Sequence, residues 1–78
     1  EERRQQLMRL LHEYAENARI RMRQGRDKDV KKIDNLAHEK KISEDEKFKL
    51  KEQVQKSVDD FNVGIKSMVK QKEQELTT

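Results

Sequence analysis

The sequence predicts an all-α fold, two long amphipathic helices folded back on each other as an antiparallel helical hairpin. Three observations carry that prediction. Proline is absent and glycine occurs only at Gly25 and Gly64, so the chain offers almost no turn chemistry for strands, while its many Glu, Lys, Gln, Arg and Leu residues favour helix. Apolar residues recur at steps of three and four in two separate stretches. One short break divides those stretches, and it carries a helix-start signature.

The first helix is expected over about residues 2–38. Its apolar or small positions are Leu7, Leu10, Leu11, Tyr14, Ala18, Met22, Gly25, Ile33 and Leu36, which share one side of a helix. Gly25 sits mid-helix at a cost near 1 kcal/mol relative to alanine, which fits either close helix packing or a tolerated defect. The turn falls at about residues 39–42, where His38, Glu39, Lys40, Lys41 and Ile42 break the pattern. Ser43 and Glu46 then match a capping box, in which hydroxyl and carboxylate each satisfy a first-turn amide. A second helix is therefore expected over about 43–76, with Val54, Val58, Phe61, Ile65 and Met68 as its seam, Phe48 and Leu50 before it and Leu76 after.

Charge supports these boundaries. Glu44, Asp45 and Glu46 stand at the positive end of the second helix dipole, and Lys31, Lys32, His38 and Lys40 at the negative end of the first. Asp27 with Lys31, Asp45 with Lys49 and Glu52 with Lys56 are i,i+4 pairs of favourable order, each worth about 0.2–0.5 kcal/mol. Helices of this length make a rod on the order of 50 Å long. Met8, Ala15, Val30, Val63 and Val69 widen both apolar stripes beyond what one partner helix covers, so a third helix or a second copy of the chain is expected against them.

Composition excludes several classes of function. With no cysteine in 78 residues, disulfides, thiolate metal sites and thiol nucleophiles are ruled out. No apolar run approaches the roughly 18 residues that span a bilayer, so no membrane partner is expected. His12 and His38 read as ordinary surface and helix-end residues, and no metal triad is visible. Capping accounts for Glu44 to Glu46, and a solvated face for Asp59 and Asp60. Neither catalysis nor a cofactor is expected.

The chain carries a formal net charge of +3, yet residues 19–32 hold seven cations against two carboxylates, a local +5. At 100° per residue Arg19, Arg23 and Arg26 fall within about a 60° arc, turned away from the line of Leu7, Tyr14 and Gly25. They are expected to form one solvent-facing ridge, with Lys31 further along the same basic stretch. Arginine on a stiff helix meets phosphate bidentately, so such a ridge suits a nucleic-acid backbone, with structured RNA recognised by shape. Tyr14, Phe48 and Phe61 lie on or near the stripes, which leaves no aromatic platform for single-stranded bases. On a chain that is 45% charged, the same arginines are also compatible with a merely solvated face.

An ordered set of segments carries a family resemblance. Glu1-Glu2-Arg3-Arg4, Tyr14-Ala15-Glu16-Asn17-Ala18-Arg19-Ile20, the pair Arg23 and Arg26, Lys31-Lys32-Ile33, Ile42-Ser43-Glu44-Asp45-Glu46 and Lys72-Glu73-Gln74-Glu75-Leu76 together resemble the C-terminal part of ribosome recycling factor. The resemblance implies a three-helix bundle with a smaller hinged domain, acting with elongation factor G to split the ribosome after termination. It implies that Arg19, Arg23 and Arg26 lie on large-subunit ribosomal RNA. It also implies residence in a bacterial cytoplasm or an organellar matrix or stroma. The first bundle helix and the hinged domain would precede this segment and are absent from it. The sequence departs from the family at Asp27-Lys28-Asp29-Val30, where a second arginine and a short Asp-Ala-Asn stretch are usual. The competing expectation is a non-enzymatic interaction module that associates through its apolar seam, with the charges serving solubility.

Overall fold

The computed structural model describes residues 1–77, and two helices account for nearly all of them: α1 over Glu2–His38 and α2 over Glu44–Thr77. They run antiparallel, since His12 near the start of α1 meets Glu73 near the end of α2, while Asp34 near the end of α1 meets Lys51 near the start of α2. The Cα trace extends 58 × 16 × 8 Å with a radius of gyration of 17.8 Å. A compact chain of this length would have a radius near 11–12 Å, so the molecule is a rod.

The connection is built from local hydrogen bonds. Ser43 stands just outside α2 and caps it: the Glu46 amide donates to the Ser43 hydroxyl at 3.0 Å, and the Ser43 amide donates to the Glu46 carboxylate at 3.0 Å. The bond from the Ser43 amide reaches the carboxylate and favours its ionised form, and with the nearby Ser43 hydroxyl as the second cause it holds the Glu46 pKa below its ordinary value. At the other side of the turn Lys40 adopts a φ of 60°. Its amide donates to the Ala37 carbonyl at 3.0 Å and that of Lys41 to the Leu36 carbonyl at 2.9 Å, the Schellman pattern that closes a helix C-terminus. A lysine thus occupies a left-handed position where glycine is the usual residue.

The interface between the helices is narrower than the sequence stripes and rotated from the first of them. Buried apolar residues are Ala15 and Ile33 on α1 and Val58, Ile65 and Val69 on α2. Ala15, only 1% exposed, packs in one cluster with Ile65 and Val69, flanked by Leu11, Ala18, Phe61 and Met68. The expected line through Leu7, Leu10, Tyr14 and Leu36 is corrected: all four are exposed, Tyr14 at 65%. A single neighbouring helix covers only part of a wide stripe, and α2 covers the part centred on Ala15 and Ile33. Phe48 and Val63 are also exposed rather than packed.

Three further expectations change. A Cβ added at Gly25 would meet nothing within 4 Å, so close packing against α2 does not explain this glycine. Lys56 pairs with Asp60 at 3.6 Å rather than with Glu52, and Asp27 pairs with Arg26 rather than with Lys31. Asp45 and Lys49 do pair, at 3.3 Å.

Candidate nucleic-acid interface

Each arginine of the ridge is held by the uninterrupted turns of α1, so their helical spacing keeps Arg19, Arg23 and Arg26 within one arc of about 60°. That arc borders the packing seam and is not opposite it, which corrects the expected free ridge. The side chains of Arg19 and Arg26 are 34% and 33% exposed, that of Arg23 54%. All three make ion pairs within α1. Glu16 receives Arg19 at 3.6 Å and Arg23 at 3.5 Å, and Asp27 accepts from Arg26 at 3.1 and 3.2 Å. Exposed pairs of this kind are worth about 0–1 kcal/mol. They lower the ridge's positive potential without burying its donors.

Lys31 does not join this arc, lying about 80° or more round the helix from each of the three arginines. It borders a shallow depression on the outer surface of α1 together with Gly25, Lys28, Asp29, Lys32 and Asn35. Arg21, Lys28, Lys31 and Lys32 are exposed and make no ion pair among the described residues, in contrast to the ridge. The sequence reading overlooked both features. Glu16, three residues before Arg19, was the signal for the first, and the glycine among lysines was the signal for the second.

A second surface runs along the front of the hairpin, where Tyr14, Ala18, Arg21 and Met22 face Phe61 and Met68 across a groove that continues past Leu7 and Leu10 to Leu76. Tyr14 belongs to this groove, roughly opposite the arginine arc around α1, so its ring cannot serve the ridge. Two cross-helix bonds line the other side of the rod. His12 Nε2 lies 2.7 Å from Glu73, and Lys51 Nζ 2.6 Å from Asp34. The hydrogen bond from Lys51, with the added charge of Lys51 and Lys47, keeps Asp34 below its ordinary value.

No group of three or more His, Cys, Asp or Glu residues able to hold a metal occurs among the described residues. No helix among them is long and apolar enough to cross a membrane. Fold and surface together define a rod-shaped helical hairpin with one charged flank and one open apolar groove. The family model for "Ribosome recycling factor" matches residues 1–77. Curated relatives of that name are similar along the whole chain: those of Rickettsia massiliae (strain Mtu5) and Rickettsia africae (strain ESF-5) are 42% identical over 78 residues, and that of Rickettsia prowazekii (strain Madrid E) 38%. The chain belongs to the ribosome recycling factor family. It spans 42% of the length of these relatives. No solved structure matches it.

Proposed function

We propose that this chain is the two-helix arm of a ribosome recycling factor, which binds large-subunit ribosomal RNA and helps dissociate the post-termination ribosome together with elongation factor G. In this reading a further helix of the longer protein lies in the front groove and completes a three-helix bundle, and a hinged domain lies outside the present segment. The protein acts by binding, without chemistry of its own. The observation that carries the reading is the family match along residues 1–77, within which three arginines occupy one arc of a stiff helix. Arg19, Arg23 and Arg26 would exchange their weak pairs with Glu16 and Asp27 for phosphate oxygens, which accept from guanidinium bidentately. Lys31 would contact phosphate from its own side of α1.

Replacing Arg19, Arg23 and Arg26 together by glutamate tests the ridge. Each lost phosphate contact removes about 0.7–0.9 from the slope of log affinity against log salt, so binding to large ribosomal subunits should fall by more than ten-fold with a slope shallower by about 2–3. Undiminished binding by the triple variant would refute the assigned surface.

A second reading has an observation of its own. Leu7, Leu10 and Tyr14 stand exposed beside Phe61 and Met68, a strip able to pair with a second copy as an interaction module. Sedimentation separates the two readings: a tight homodimer with no salt-dependent affinity for RNA favours the module.

A further inference from the structure

We propose that the depression over Gly25, ringed by Lys28, Lys31 and Lys32, is a second seat for RNA phosphates, on the side of α1 away from the arginine arc. The inference rests on the RNA-binding reading and adds a contact surface to it. Three observations carry it.

The first is charge that nothing in the hairpin neutralises. Carboxylates pair with Arg19, Arg23 and Arg26, whereas Lys28, Lys31 and Lys32 are exposed and have no ion-pair partner among the described residues. Asp29 is the one carboxylate lining the depression, against three ammonium groups. The connection half of α1 therefore keeps an unneutralised positive cluster here, and potential of that sign raises the local concentration of polyanion.

The second is shape. A Cβ at Gly25 would touch nothing within 4 Å, so the helix backbone is bare at the centre of the cluster. A phosphate can approach the helix there more closely than at any side-chain-bearing turn, with lysine stems flexible enough to close around it. This gives a mid-helix glycine, otherwise costing about 1 kcal/mol, a use that packing against α2 does not supply.

The third is position. The apolar lining of the front groove on α1 comes from Leu7, Leu10, Leu11, Tyr14, Ala18 and Met22, and the lysine cluster lies beyond it toward the connection. A helix laid over that apolar strip would pass beside Gly25 and leave open Lys28 and Lys31, about 60° and 120° round α1 from the line of Leu7 and Gly25. The charge pattern places phosphates on both sides of the connection half of α1, so that this part of the rod lies between two stretches of RNA backbone.

The test compares salt titrations of binding to large ribosomal subunits for the unaltered protein, an Arg19→Gln, Arg23→Gln, Arg26→Gln variant, a Lys28→Gln, Lys31→Gln, Lys32→Gln variant, and Gly25→Leu. All four positions of the last two variants are exposed, and circular dichroism checks that the helices persist. The lysine variant should lose about ten-fold or more in affinity at moderate salt, with a slope shallower by about 2–3. Gly25→Leu keeps every charge and should weaken binding several-fold with the slope unchanged. Full affinity in either variant, alongside loss in the arginine variant, overturns this inference and leaves the RNA reading standing. A lysine variant that keeps its RNA affinity but no longer binds a glutamate-rich synthetic helix also overturns it, assigning the cluster to a protein partner. If the unaltered protein shows no salt-dependent binding at all, the RNA reading itself fails.

Discussion

The two ends of the rod hold together by different means. At the connection the chain is fixed by bonds between near neighbours: Ser43 with Glu46, Lys40 with Ala37, Lys41 with Leu36. At the open end the helices are joined by the Ala15, Ile65 and Val69 cluster and one exposed polar bridge, His12 to Glu73. Turn chemistry is specified within a few residues and needs no partner. Cohesion of the open end depends on residues some fifty or more positions apart in sequence, and much of its apolar surface, from Leu7 to Tyr14, is still in water.

The largest effect should come from the open end. Ile65→Ala removes a buried side chain from the cluster and should cost about 2–5 kcal/mol, the range for large-to-small core changes. Urea unfolding followed by circular dichroism measures it. A loss below about 0.5 kcal/mol would show that the open end does not rely on that cluster.

The capping box comes next. Ser43→Ala should cost about 1 kcal/mol, as loss of a serine N-cap generally does. Glu46 is held below its ordinary range, so its contribution is present above that range and disappears as pH falls through its lowered value. The stability difference between the unaltered protein and Glu46→Gln should therefore shrink toward zero in acid. A difference that stays constant between neutral and strongly acidic pH would exclude an ionised cap.

The smallest change, and the one gain, is Lys40→Gly. Relief of the left-handed strain, about 1–2 kcal/mol, is offset by the extra freedom of glycine in the unfolded chain, for a net gain of about 0.5 kcal/mol. A rise in thermal midpoint checks the sign. A fall would mean that the lysine side chain contributes more at the turn than its backbone costs.

This contrast also explains what could be read from the sequence. Ser43 and Glu46 were legible because a capping box is complete within four residues. The helical pattern and the break between the two stretches were legible for the same local reason. Which part of each stripe faces the other helix was not, because periodicity gives the width of an apolar face and is silent about its centre. Leu7 and Tyr14 belong to the same wide stripe as Ala15 and Ile33, but only the part centred on Ala15 and Ile33 faces α2. Lys40 gave no sign of its positive φ, since glycine is the residue that usually announces it. The common arc of Arg19, Arg23 and Arg26 followed from 100° per residue, but i,i+4 spacing assigned Asp27 to Lys31 and left Glu16 without a partner, whereas they pair with the arginines at spacings of one, three and seven.

The continuity of α1 has a mechanical consequence. Its 37 residues run from Glu2 to His38 without a proline, which at 1.5 Å per residue is a strut of about 55 Å. Tilting such a strut by one degree about its His38 end swings Glu2 through roughly 1 Å. A small rotation at the His38 end is therefore magnified at the Glu2 end, and stiffness turns a contact made along one stretch into leverage at another.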